Sequence, residues 1–344
     1  MESSPASNYK DYRFVPLPIY SPSYLMNNLT SNGGDLFVFA NTAESQPKVV
    51  SYSKEFIEKG EQQNQPQIFQ WKDGSDCLSV RYLLVQNKWH LVVSTTKGCQ
   101  IYNQNATRLL FHFDSKKKLA EGKLNFFTSA ATGFEKGTGD EFIAAGTVTG
   151  EIYSCILNGA TFVKELAFQM THASSITAMS GDPKSQTLAV GNSNGYVIIF
   201  DCDNQTEWKA KASVPTKDEI PVVSVGLIVK GGENYYAVAY ANGSVKLITP
   251  AGVVVSEIGA HSRGINALTC HPQRPIFATC SDDTFVNVYE VTGETVENLD
   301  VNLLLSSKVN DFVIVGLAFG GDGLKSLIGA PYDYKNLTVW NQIL

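Results

Sequence analysis

Charge is scarce in this chain. Only 17% of its 344 residues are Asp, Glu, Lys or Arg, and the net charge is −6. General nucleic-acid affinity needs Lys and Arg in excess to neutralise phosphates, and a polybasic membrane anchor needs them in a run. The balance argues against both, and the only basic cluster is Lys116-Lys117-Lys118. Long apolar runs are also missing. No window approaches the roughly 18 residues of a membrane-spanning helix. The opening Met1-Glu2-Ser3-Ser4-Pro5 is polar where a signal peptide would be apolar. Cysteine pairs at close spacing are absent too: Cys77, Cys99, Cys155, Cys202, Cys270 and Cys280 include no C-x-x-C. They read as reduced, mostly buried thiols of a cytosolic protein. The Asn-X-Ser/Thr sequons at Asn28, Asn105, Asn204, Asn242 and Asn336 then read as compositional background. Helical periodicity is almost lacking, and its nearest approach, Glu55–Gln63, reads as a polar insertion.

What is present is a repeat. The segments His172–Asp201 and His261–Glu290 align without a gap. His172 falls on His261, Ile176 on Ile265, Pro183 on Pro272, Asn194 on Asp283, Phe200 on Tyr289 and Asp201 on Glu290, each pair 89 residues apart. That is twice about 44, the length of one four-stranded propeller blade. A related unit falls between them at Tyr236–Thr249, and two more lie upstream at Phe142–Ile156 and His90–Asn103. All share one order: an apolar strand, small residues, a polar or Gly turn, then an alternating strand. Period-two apolar residues give strands with a buried face, and Gly or Asn supplies positive φ at the turn. The small Ala, Gly and Ser before the turn suit inner strands crowded around a central axis.

Near the end of the chain three strand-like runs remain: Val313–Phe319, Ser326–Ala330 and Asn336–Leu344. A fourth strand is offered by Tyr12–Leu17, so a ring closed by its N-terminal strand is expected, without open edges. The expected fold is all-β, a seven-bladed propeller over 12–344 after a polar tail at 1–11. Its blades fall at about 30–72, 75–113, 123–167, 168–213, 219–257, 260–300, and 305–344 with 12–17. Residues 114–122, 132–139, 201–218 and 291–300 read as loops.

Ala260-His261, Pro272, Ser281-Asp282-Asp283 and Tyr289-Glu290 follow a GH…SxD…WD pattern, and Trp340-Asn341 is a further near-match. In these residues the chain resembles the WD-repeat family. It departs from the pattern where Phe200 and Cys155 replace the aromatic at the Trp position. The resemblance implies a cytoplasmic WD-repeat-type propeller without established catalytic activity, acting as a scaffold for other proteins.

Thr279, His261 and Asp283 carry the hydroxyl, imidazole and carboxylate of a hydrolytic triad. The resemblance implies a structural role instead. Asp283 holds His261, His261 meets Thr279, and Tyr289 completes a network that ties the turn to the start of the blade. Nothing points to an oxyanion pocket, so no catalytic residue is assigned. His261, His271, Cys270, Cys280, Asp282 and Asp283 share a blade but lack zinc spacing, and the neighbours Cys270 and His271 point to opposite faces of a strand. No metal and no cofactor is expected. Gly231-Gly232 and Gly320-Gly321-Asp322-Gly323 read as turns, since neither has the Lys-Ser/Thr ending of a phosphate loop.

The resemblance places partner binding on one mouth of the propeller, at Arg263, Ser174-Ser175, Asn194, Asn242 and Asp282. Arg263 leads, because Arg is enriched at interface hot spots. Trp208, in a charged loop, is either a cap on an outer strand or an exposed anchor. The expected partners are other proteins within a larger complex, with no nucleic acid and no membrane insertion. A structural component of a ciliary or cytoskeletal assembly is the alternative, with Lys116-Lys117-Lys118 facing an acidic surface. An enzyme working in the central channel is the least favoured reading. It would need inward charged residues, whereas the inner strands read as small and apolar.

Overall fold

The computed structural model describes residues 12–43, 46–59, 66–71, 75–114, 125–158, 161–169, 174–204, 207–216 and 218–344. The polar tail at 1–11, His172 and Lys116-Lys117-Lys118 lie outside the described residues. Within them, the strands form seven four-stranded antiparallel sheets. Blade six is typical, a meander of Ile265–Cys270, Ile276–Ser281, Phe285–Thr292 and Asp300–Lys308. The first strand of each blade touches the first strand of the next, from blade one through blade seven and back to blade one. The molecule is a closed seven-bladed β-propeller.

Closure is made by the N-terminal strand Tyr12–Pro16, which pairs antiparallel with Asn336–Trp340 from Tyr12↔Trp340 to Pro16↔Asn336. Val15, Leu17 and Val339 pack with Phe37, Phe39 and Tyr52 of blade one. Trp340 packs against blade six and donates its indole N–H to Ser307 Oγ at 2.9 Å. Blade seven is thus wedged between its neighbours by residues from both ends of the described chain.

The second strand of a blade is sandwiched on both faces. Leu188, Ala189 and Val190, like Ile276, Phe277 and Ala278, are therefore buried in succession, and the sequence shows runs there rather than alternation. The small residues before each turn lie in this second strand and not at the axis, a correction to the expectation. A Cβ on Gly146 would meet Ile176 at 2.6 Å, and one on Gly191 would meet Val222 at 2.4 Å. Their smallness admits the first residue of the next blade's inner strand.

Several boundaries also move. Residues 201–218 are no loop: Val197–Asn204 and Glu207–Val214 form the outer hairpin of blade four. Phe127–Phe134 carries strand into 132–139. Asp300–Lys308 is the outer strand of blade six, so residues 305–308 do not belong to blade seven. Lys54–Lys59 is a short helix that buries Phe56 and Ile57.

Blades two to seven repeat one irregularity. Their inner strands slip register by a residue at Leu78, Thr128, Thr177, Val223, Asn266 and Val315, near the end where the chain enters the blade. A bulge leaves its extra residue out of the ladder. The carbonyls of these residues therefore need other partners, since buried backbone groups are almost always satisfied.

Candidate partner-binding face

In blades five to seven those partners come from the segment between the first strand and blade one. Asn27 N–H donates to Asn266 O at 2.9 Å, Asn27 Nδ2 to Val223 O at 3.3 Å, and Asn28 N–H to Val315 O at 2.8 Å. All three acceptors are bulge carbonyls, in blades six, five and seven. Asn27 Oδ1 accepts from Leu268 N–H at 3.1 Å, and Arg81 Nη1 donates to Asn27 O at 2.9 Å from across the axis. Residues 22–29 thus plug one mouth of the channel. A Cβ at Gly316 would lie 2.4 Å from Asn28, so glycine is needed where the plug passes.

The plug carries large side chains outward. Tyr24 and Met26 are 47% exposed, and Tyr332 is 46% exposed on the turn after Ser326–Pro331. Tyr24 and Tyr332 meet edge to face at 5.4 Å. Tyr24 Oη donates to Asn266 Oδ1 at 3.4 Å, and Asn266 Nδ2 donates to Asp282 Oδ1 at 2.9 Å. Burial and the Asp282 carboxylate raise the Tyr24 pKa above its usual value. The two tyrosines are therefore held in place, which lowers the entropy that binding would cost.

Around this centre the blades present equivalent turns. Gly150 N bonds Thr147 O, Gly195 N bonds Asn192 O, Gly243 N bonds Tyr240 O, and Thr284 N bonds Ser281 O, at 3.1–3.2 Å. The donor has positive φ in each: 83°, 81°, 92° and 71°. Each of Asn194, Asn242 and Asp283 is the third residue of its turn, and Asn194 and Asn242 are exposed. Gly243 abuts the carbonyls of His261 and Arg263. Arg263 is exposed, and its carbonyl accepts Ser281 Oγ at 3.2 Å. Asn242, Arg263 and Asp282 are thus neighbours on one rim. Asn194 lies farther round, and Ser193 N–H beside it bonds the carbonyl of Ser175 at 2.8 Å.

Trp208 does not join them. It is only 8% exposed and packs on Phe142 at 5.3 Å and Phe200 at 6.2 Å, between blades three and four. It is withdrawn as a partner-binding residue. The charged residues around it suggested a loop, but Lys209 and Lys211 are exposed positions of the outer strand Glu207–Val214.

The rim is braced by the network in blade six. His261 Nδ1 lies 3.1 Å from both Asp283 oxygens, and Nε2 lies 2.9 Å from Thr279 Oγ1. Asp283 also accepts the N–H groups of Ser262 and Phe285, each at 3.0 Å. Burial lowers the His261 pKa and outweighs the pull of Asp283. The imidazole is therefore neutral, with its proton on the Nδ1 that faces the carboxylate. Burial would raise Asp283, yet the bonds from Phe285 and Ser262 and the nearby His261 hold it below the usual carboxylate value. With the imidazole uncharged, the backbone bonds are the stronger cause at neutral pH. Tyr289 Oη donates to Ala260 O at 3.2 Å, beside the imidazole rather than to it. Side-chain exposure of His261 and residue exposure of Thr279 are both 0%. A carbonyl substrate cannot reach this hydroxyl, so the three groups act as a brace.

The axis holds one side chain that the sequence reading passed over. Arg81 lies in the inner strand of blade two, Cys77–Val85, and faces the channel. The equivalent places in blades three to seven are Ala131, Ser180, Gly226, Thr269 and Ala318. The expectation of uncharged inner strands is corrected here.

Residues 252–290, which contain the whole brace, match the family described as WD domain, G-beta repeat. Among solved structures the chain is similar to one in the crystal structure of a mitotic checkpoint complex. The TM-score there is 0.72 at 14% identity, over 99% of this chain and 95% of the other. It is also similar to Raptor from Chaetomium thermophilum, with a TM-score of 0.68 at 13% identity, over 96% of this chain and 29% of that one. At such identities the likeness shows the fold alone, the seven-bladed propeller described above, and the WD-domain match is confined to residues 252–290.

Proposed function

We propose that this protein is a non-catalytic, protein-binding adaptor that uses the plugged mouth as its interface. The observation that carries this reading is Tyr24 and Tyr332 standing exposed in edge contact, fixed by the plug and flanked by Met26, Asp282 and Arg263. Tyr, Met and Arg are the residues enriched in interface cores and hot spots. The fold is shared with chains of a mitotic checkpoint complex and of Raptor, and a role inside a larger assembly is in keeping with that.

The run Asp283-Thr284-Phe285-Val286 behind Ala260-His261, and the stretch Gly329–Tyr334, resemble WD-repeat-containing protein 54. On that resemblance we place the protein in the cytoplasm. A ciliary or cytoskeletal assembly is a second reading, and it rests on that resemblance and on the Lys116-Lys117-Lys118 run. Tagged protein that stays diffuse in ciliated cells and is absent from axonemes would remove it.

The adaptor reading is tested by affinity purification of the tagged protein from its own cells, beside Arg263→Glu and Tyr24→Ala versions. A stoichiometric partner set that is lost in both variants is expected. Recovery of the bare chain, or hydrolase or transferase activity in the purified protein that is lost on altering one pocket, would overturn it.

A further inference from the structure

Below the plug the channel widens into a cavity of about 410 Å³, within the usual size range of small-molecule sites. Leu84, Trp89, Pro272 and Leu324 lie at the end away from the plug, and Leu268 and Leu317 form part of the apolar wall. Ser129, Ser224 and Thr30 add polar positions. Arg81 is the only charged residue lining the cavity among the described residues, and no Asp or Glu faces it.

Arg81 is held at one corner. Nη1 donates to Asn27 O and, at 3.0 Å, to Val80 O. Among the described residues no acceptor meets Nε or Nη2, and no carboxylate forms an ion pair with the guanidinium. Arg81 is half-buried, and it lines the cavity. Burial draws its pKa down to about 10, so it stays charged at neutral pH. A half-buried cation without a counter-charge carries a desolvation cost, and charges withdrawn from water are normally paired. Here the free donors adjoin space of metabolite size.

We infer that the channel binds a small organic oxyanion, a carboxylate or a phosphate ester, whose charged end pairs with the free donors of Arg81 and whose body lies against Leu84, Trp89, Leu268 and Leu317. A guanidinium fork suits either group, because both accept two parallel N–H bonds. The site lies on the axis below the plug and is independent of the partner-binding reading of the mouth.

The test is calorimetric titration of the full chain with three probes: benzoate, phenyl phosphate and inorganic phosphate. One-to-one saturable binding of benzoate, phenyl phosphate or both is expected, and which of them binds identifies the head group. Inorganic phosphate, lacking the body, should bind at least about tenfold more weakly than the better organic probe. Arg81→Gln should weaken binding by at least about tenfold, and Arg81→Lys by less, since it keeps the charge.

If Arg81→Gln does not fold, arginine modification by phenylglyoxal, mapped by peptide mass spectrometry, locates the site in the unaltered protein. The better probe should slow modification of Arg81 several-fold and leave the exposed Arg263 unaffected. Three results would overturn the inference: no saturable heat with either organic probe, binding that leaves Arg81 unprotected, or an Arg81 that does not react without any probe.

Discussion

Asn28 performs the work of a missing strand, and its removal has a calculable effect. The inner strand of blade one is only Thr30–Ser31, and it pairs with Val38 and Phe37. Ala40, farther along the second strand, has no paired strand residue on that side, where only the Ser23 N–H reaches its carbonyl from the backbone, at 3.1 Å. The Asn28 amide takes the place of one: Oδ1 accepts Ala40 N–H at 2.7 Å, and Nδ2 donates to Ala40 O at 2.9 Å. Nδ2 also donates to Ser23 O at 2.8 Å, holding the plug. Asn28→Ala breaks three buried bonds worth about 1 kcal/mol each, so a loss of about 3 kcal/mol follows. Unfolding entropy near 2.1 cal/mol/K per residue converts this, over the 344 residues, to a fall in Tm of about 4 °C. Calorimetry should show that fall, and hydrogen exchange should show faster exchange at the Ala40 amide. The exposed Asn105 is the control, since Asn105→Ala should change stability by less than about 0.5 kcal/mol. A Tm within about 1 °C of wild type for Asn28→Ala, with Ala40 still protected, would refute the reasoning.

Three further outcomes follow from other parts of the molecule. Thr284 has φ 71° where its sister turns use glycine, a conformation that costs a β-branched residue about 1–2 kcal/mol. Less the entropy of a freer unfolded chain, Thr284→Gly should raise stability by about 0.5–1 kcal/mol, read as a higher denaturant midpoint at unchanged slope; a lower midpoint would contradict this. Asp283→Ala leaves His261 Nδ1 and the Ser262 and Phe285 amides without their acceptor, and should cost about 2–4 kcal/mol in chemical denaturation. Burial lowers His261, His90 and His271 below their usual 6.5. The unfolded chain then binds the extra protons, so this stability is complete above pH 6.5 and falls as pH drops through the lowered values. A denaturant midpoint that does not change between neutral pH and the onset of carboxylate titration would contradict the assignment.

The propeller could be read from the sequence because its strands repeat in register. The 89-residue match of His172–Asp201 with His261–Glu290 fixed two blades, and the unpaired Tyr12–Leu17 run pointed to the closing strand. Asn242 and Asp282 could be placed for the same reason, since each sits on a repeated turn, and Arg263 through the family resemblance, next to His261. The plug could not. Residues 22–29 have no periodicity, and their bonds go to carbonyls exposed by bulges in other blades, which no local pattern displays. Gly316 was the available signal, a glycine where the sister strands have Ser79, Ser129, Ala178, Ser224 and Ala267. Tyr332 was available as an aromatic on a turn whose sisters hold Val148, Ser193, Ala241 and Asp282. Arg81 was hidden by ordinary strand alternation, in which a polar residue suggests solvent rather than an axis. Trp208 misled because its neighbours Glu207, Lys209 and Lys211 look like a loop, yet all three belong to the outer strand Glu207–Val214.

The claim that the plugged mouth is the interface is tested most directly by photo-crosslinking in the protein's own cells. A benzoylphenylalanine replaces Tyr332 at the mouth in one version and Leu109, exposed on an outer strand of blade two, in another. The account predicts a discrete protein adduct from position 332 that is absent from position 109 and lost when Tyr24→Ala is added. An adduct from 109 alone, or one from 332 that persists with Tyr24→Ala and Arg263→Glu together, would contradict it.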